Sequence, residues 1–378
     1  VDEPAADSGA SHFLEHLLFK GTPTRSARQI AEAVDRVGGD MNAFTTKEYT
    51  AFYIRLLAAD VELALDILSD ILWSPSFRGE EVEAERQVIL EEILMHGDEP
   101  ADLIHDVFAS ALFPAHPLGR EVLGKEATVR DLGRDRIAAF HADHYRPVNV
   151  VFAAAGNVDH DRMVDGIRAR AGEVNGGQAP GRVAPSAGDR RRRFVVERDT
   201  EQAHLIVGVP GPARDDDDRH ALTVIDHVLG GGMSSRLFQT IREERGLAYT
   251  VYSFRLLFQD AGSVGVYAGT SPANAPEVLD LMRAGIERMA TEGVTDEELA
   301  AARSHLRGSL ALGLEDSGAR WSRIGHSQLI HGRVPDLDEL EARMAGLTAD
   351  QVNAVAHRYL SEPLTVATVG PPDGTETG

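Results

Sequence analysis

The sequence predicts a mixed protein of the α+β or α/β class, built as two similar domains joined by a linker. Three observations carry this reading. Runs with apolar residues at helical spacing stand beside short apolar runs of strand type. A Gly- and Pro-rich stretch interrupts the chain near its middle. Two separate pieces of the first half recur in the second half at one offset.

Residues 60–72 (DVELALDILSDIL) and 80–95 (EEVEAERQVILEEILM) read as helices, with apolar residues three and four apart. Tyr49 to Ile54 and Ser263 to Tyr267 alternate as half-buried strands do, while 149–155 (NVVFAAA) and 203–209 (AHLIVGV) read as buried strands. Residues 175–193 (NGGQAPGRVAPSAGDRRRR) have no periodicity and form the expected linker, dividing a first domain (1–174) from a second (194–378). Its closing arginines, Arg190 to Arg193, read as a solvated linker end in an acidic chain. Leu132, Asp135, Tyr145 and Gly156 match Leu347, Asp350, Tyr359 and Gly370 at an offset of 214 to 215. The same offset carries Leu65, Asp66, Ile67, Leu68 and Leu72 onto Leu279, Asp280, Leu281, Met282 and Ile286, which argues for a duplicated domain.

Composition narrows the function. The 378 residues are enough for two or three domains with real cores. With 38 Lys and Arg against 60 Asp and Glu, the net charge of −22 excludes a nucleic-acid backbone as an expected partner. Cysteine is absent, which removes disulfides, thiolate metal sites, Cys nucleophiles and iron–sulfur clusters, and any metal must be held by His and carboxylates. No apolar run reaches the ~18 residues of a membrane span, and a cytoplasmic location is expected.

The chemistry begins at residues 11–20, SHFLEHLLFK. On a helix His12 and His16, four apart, stand one above the other, so both imidazoles can reach one metal ion at ~2.0–2.1 Å. At 100° per residue Glu15 shares their side, while Phe13, Leu14, Leu17 and Leu18 gather on the other. Beside a metal-activated water, Glu15 is the natural general base; otherwise the three residues simply line a solvated face. A third ligand must come from His, Asp or Glu, and the acidic helix 80–95 is the obvious donor. Glu85 and Glu92 share one stripe, two turns apart, and Glu91 points about a quarter-turn away. One carboxylate of the stripe suits the metal and the other suits an imidazole N–H; periodicity leaves Glu91 and Glu92 open.

HxxEH at His12 to His16, the following LLFKGT, NAFTTKEYTAFY at 42–53 and ERQVILEEI at 85–93 together resemble the pitrilysin/insulinase family of zinc metallopeptidases, most of all the branch of the mitochondrial processing peptidase β subunit and its short bacterial relatives. The resemblance covers nearly the whole chain. It implies two duplicated α/β-roll domains with mostly antiparallel sheet against helices. His12, His16 and Glu92 would bind one Zn2+, with Glu15 as base and Glu85 supporting a ligand. It implies that Asn42, Ala43 and Phe44 form the sheet edge to which a substrate peptide adds as a strand; the alternative, an ordinary hairpin, would explain Tyr49, Phe52 and Tyr53 better than it explains Asn42. In GGGMSSRLFQTIREERGLAYTVYS (230–253) the glycines lack the P-loop ending and read as a flexible turn. Arg242 and Tyr249 there match the family's substrate-holding arginine and its oxyanion-stabilising tyrosine, and Arg245 fits less well.

At the same offset His12, Glu15, His16 and Glu92 fall on Asp226, Leu229, Gly230 and Leu306, so the second domain is expected to hold substrate without binding zinc. The expected activity is a zinc endopeptidase acting on extended or unfolded peptides, as a homodimer or, alternatively, a heterodimer with divided roles. A non-catalytic scaffold subunit is the rival from another class. The family's strands ahead of the metal helix are expected to be missing, since residues 1–11 alone precede His12.

Overall fold

A computed structural model of the chain describes residues 1–171, 181–185 and 192–371, so most of the expected linker lies outside the described residues. The chain forms two compact units, each assembled from separate pieces. One comprises Val1–Met95, Arg120–Arg182 and Gly313–Val334; the other comprises His96–Gly119, Val183–Leu312 and Pro335–Gly378. Composition gives no sign of either exchanged piece.

In the first unit the helix Ala10–Leu18 buries Phe13, Leu14, Leu17 and Leu18 against Ile30, Ile67, Ile71, Ile89 and Ile137. Each such side chain removed from water contributes about 1.5–3 kcal/mol, enough to fix the helix by one face and leave the other for chemistry. Gly9 starts this helix at φ 97°, and a Cβ there would stand 2.7 Å from the Leu123 carbonyl oxygen, so only glycine fits the approach. The expected helices appear as Val61–Trp73 and Gly79–Gly97. Strands β1 (Asp40–Thr45) and β2 (Thr50–Arg55) pair antiparallel from Asp40↔Arg55 to Thr45↔Thr50. Their inner residues Met41, Phe52 and Ile54 pack on the core. On the outer face Tyr53 meets Trp321 at 5.3 Å, and at the hairpin's end Tyr49 meets His326 at 5.4 Å, both partners lying on the helix Ser317–His331.

The buried strand expected over 149–155 does not form. Pro147–Asn149 make a 3-10 turn, and residues 150–155 are half-buried with no ladder partner among the described residues. The apolar run does lie against the core, since Phe152 packs toward Trp73, but it is only half-buried, and a strand also needs a neighbour for its backbone groups.

The second unit is built on a five-stranded sheet of order β3-β7-β4-β6-β5, with β3 (Arg193–Glu197), β4 (Ala203–Gly211), β5 (Ala248–Leu257), β6 (Gly262–Thr270) and β7 (Thr365–Gly370). Only β3–β7 is parallel. Leu205, Val207 and Val209 of β4 face a core shared with the helices Asp218–Leu229, Ala275–Glu292 and Ala349–Leu360. The opposite face lies under the helix Pro100–Leu112, close enough that a Cβ on Gly208 would meet the Phe108 ring at 2.7 Å. Covering both faces also buries all of β6, which the alternating sequence had suggested would be half-exposed. Gly230 and Gly231, read as a flexible turn, sit where a Cβ would press on Ser253 and His227 respectively, at 2.4 and 2.7 Å. Close packing explains these two glycines without any phosphate.

Candidate metal centre

The helix Ala10–Leu18 presents His12 and His16 from its uncovered face, and the helix Gly79–Gly97 brings Glu92 opposite them. Glu92 Oε2 lies 3.6 Å from His12 Nε2 and 3.5 Å from His16 Nε2. These distances are too long for good hydrogen bonds, but they are close to the ~3.3 Å edge of a tetrahedron with metal–ligand bonds of ~2.0–2.1 Å. Glu92 Oε2 is buried and has no hydrogen-bond partner. Three lone-pair donors converging without satisfying one another is an arrangement that a cation completes. Two imidazoles and a carboxylate form a donor set suited to zinc. The three ligand atoms lie within 4.8 Å of one another, the single such group among the described residues. Glu91, left open by periodicity, is solvent-exposed and outside this group.

The surroundings keep the ligands ready. Burial, reinforced by the neighbouring His16, lowers the His12 pKa to about 4, so its imidazole is neutral at physiological pH. Glu85 is buried and its Oε2 lies 3.1 Å from His16 Nδ1, while its Oε1 meets Lys20 Nζ at 2.6 Å. A carboxylate can only accept, so Nδ1 carries the proton and the Nε2 lone pair is left for the metal. Lys20 balances the Glu85 charge. Sequence reading assigned Lys20 no role, although its place four residues after His16 was a usable signal.

Glu15 stands on the same face as the two histidines. Burial raises its pKa, opposed by a hydrogen bond from Thr45 and by the neighbouring His16, with Glu92 adding to the rise. The Thr45 hydroxyl donates to Glu15 Oε2 at 2.5 Å. This contact was missed too, because it joins a strand to a helix 30 residues away.

Asn42, Ala43 and Phe44 lie on β1, which pairs with β2 on one side and has no partner on the other among the described residues. Asn42 Oδ1 accepts the Ala43 backbone N–H at 2.8 Å. The second unit holds Arg242 and Tyr249 together: the guanidinium stacks 4.7 Å over the Tyr249 ring and 4.8 Å over Phe238. Arg242 lies on a π-helical turn, Phe238–Glu244, and the ladder of β5 slips between Ala248 and Thr250, so that Tyr249 bulges outward and is 76% exposed. Both irregularities are common where a side chain must be re-aimed. Arg245 instead pairs with Glu277 at 2.8 Å.

Comparison with known proteins places this geometry in context. A family model described as "Insulinase (Peptidase family M16)" matches residues 1–126, and one described as "Peptidase M16 inactive domain" matches residues 131–306. A Streptomyces coelicolor protein named an uncharacterized zinc protease is 48% identical over 98% of this chain and 82% of its own length. The chain belongs to the insulinase (M16) family of peptidases. A similarly named Bacillus subtilis protein is 36% identical over 96% of the chain and 88% of its own length. Among solved structures, a Helicobacter pylori protease shares the fold with a TM-score of 0.90 at 23% identity, covering 98% of this chain and 90% of that one. His12, Glu15, His16 and Glu92 all lie in the segment matched by the first of the two family models. Among the described residues no helix is long and apolar enough to cross a membrane.

Proposed function

We propose that this M16 chain is a zinc-dependent endopeptidase that hydrolyses peptide bonds in extended or unfolded peptides. The observation carrying the reading is the convergence of His12 Nε2, His16 Nε2 and Glu92 Oε2 beside the Glu15 carboxylate. His12, His16 and Glu92 hold the ion, which when bound supplies Lewis acidity that acidifies water and polarises a carbonyl. Glu15 takes a proton from the attacking water and returns it to the leaving amine. Its raised pKa makes it a better base at neutral pH than an ordinary glutamate. Glu85, charge-balanced by Lys20, fixes the His16 ring.

The edge of β1 that has no strand partner among the described residues suits main-chain pairing with an extended peptide, a mode that accepts many sequences because backbone groups carry the affinity. Asn42 Oδ1 occupies the Ala43 N–H, and a substrate carbonyl takes its place. Arg242 and Tyr249 serve as the substrate-contacting pair of the second unit, with the exposed tyrosine hydroxyl donating to a carbonyl oxygen as charge develops. The acidic surface, net −22, favours basic extended peptides. The protein works as a dimer, and a homodimer suffices because both sets of residues lie in one chain.

The test is to purify the full chain, measure its zinc content and follow cleavage of a quenched unstructured peptide. Activity lost with chelator, restored by zinc and absent from Glu15→Gln supports the reading. Cleavage that survives Glu15→Gln overturns the mechanism, and a zinc-loaded protein that cleaves no peptide overturns the activity.

A further inference from the structure

The general base is the end of a chain of hydroxyls. Thr45 and Thr50 face each other as the last pair of the β1–β2 hairpin, with their hydroxyl oxygens 3.1 Å apart. Thr45 reaches Glu15 Oε2 at 2.5 Å, and the Tyr145 phenol lies close to Thr50. Tyr145 follows the helix Arg134–His144, and its ring is held by stacking on His141 at 4.7 Å and by the edge of Phe52 at 6.5 Å.

The direction of every bond follows from proton counting. An ionised carboxylate only accepts, so the one proton of Thr45 goes to Glu15. The bond between the threonines must then be donated by Thr50. Burial holds the phenol of the neighbouring Tyr145 well above its usual pKa, so it adds no charge beside the pair. Threonine is stiff at χ1, which makes the two members good spacers.

We propose that Thr50 and Thr45 form a one-way hydroxyl relay that positions Glu15 by tying down Oε2, leaving Oε1 as the oxygen that exchanges the proton with water. Both are positioning residues. The relay rests on Glu15 being the base, as proposed above. It adds that the hairpin serves the base through its inner threonines as well as offering an edge to the substrate.

Replacing Thr45 by Val keeps the shape and removes the proton. The expected result is a fall in kcat of about 10–100-fold, from loss of a hydrogen bond to a charged group and of near-attack geometry, with KM within about threefold. Thr45→Ser restores kcat to within about threefold of the parent. Thr50→Val costs about 3–10-fold. Because both act through one carboxylate, Thr45→Val combined with Thr50→Val is no slower than Thr45→Val alone, whereas independent structural damage would add. A second readout needs no turnover: crystal structures of the zinc-loaded parent and of Thr45→Val should show Glu15 in one position in the parent and released from it in the variant. If the zinc-loaded parent cleaves nothing, the peptidase reading fails while the crystal structures still decide the relay. An unmoved Glu15 carboxylate in Thr45→Val, or full kcat in that variant, overturns the relay. If Thr45→Val does not fold, Thr50→Val decides in its place by the same two readouts.

Discussion

Replacing Glu85 by Gln tests how far a buried carboxylate that touches no metal controls the metal centre. The residue is 5% exposed, and its two carboxylate oxygens are committed to His16 Nδ1 at 3.1 Å and Lys20 Nζ at 2.6 Å. Glutamine keeps the volume, so the packing of the helix Gly79–Gly97 survives. The charge is lost, and with it the charge-assisted bond that sets the His16 tautomer and raises its basicity. A hydrogen bond to a charged group is worth about 1.5–3 kcal/mol. At about 1.4 kcal/mol per decade this is roughly one to two orders of magnitude in zinc Kd, the range found when outer partners of ligating histidines are removed. Lys20 is one-third exposed and turns to water, so the fold should lose little. The assay is a competition titration against a chromophoric chelator, with urea unfolding of the metal-free forms as the control. A zinc Kd within about threefold of the parent, at unchanged stability, would refute the claim that Glu85 orients His16.

Glu15→Gln should lower kcat by about 10²–10⁴-fold and leave zinc content unchanged, as metal analysis of the same preparation would check. Tyr249→Phe should lower kcat by about 10²–10³-fold with zinc affinity intact, and full activity would remove the tyrosine from the mechanism. The His12 pKa is lowered to about 4 by burial and by His16, so below about pH 6.5 the unfolded chain binds a proton that the native state refuses. Metal-free stability is therefore complete above that pH and declines by up to about 3 kcal/mol as pH falls toward 4, measurable by urea titrations at pH 7 and pH 5. Phe13→Ala, at a fully buried position on the inner face of the metal helix, should cost about 3–5 kcal/mol and release zinc at lower denaturant.

Much of the centre was legible in ten residues. The two faces of Ala10–Leu18 follow from a local backbone period, so His12, Glu15 and His16 on one side and Phe13, Leu14, Leu17 and Leu18 on the other could be read without knowing any neighbour. The helices Val61–Trp73 and Gly79–Gly97, the β1–β2 hairpin and strand β4 were legible for the same reason. Segment 149–155 was misjudged because hydrophobicity encodes burial, while a ladder requires a second segment that the run cannot specify.

Taken alone, then, the amino-acid order determined the chemical face of the metal helix, the mixed fold and the absence of thiolate chemistry. Tertiary structure decided what depends on residues far apart in the chain. It set Glu92 rather than Glu91 against the histidines, brought Lys20 onto Glu85, and tied Glu15 through Thr45 to Thr50. It also exchanged His96–Gly119 and Gly313–Val334 between the two units. Helical period is a property of neighbouring dihedrals and is written locally. The meeting of a carboxylate with an imidazole 69 positions away depends on how whole elements pack, and no local pattern records it.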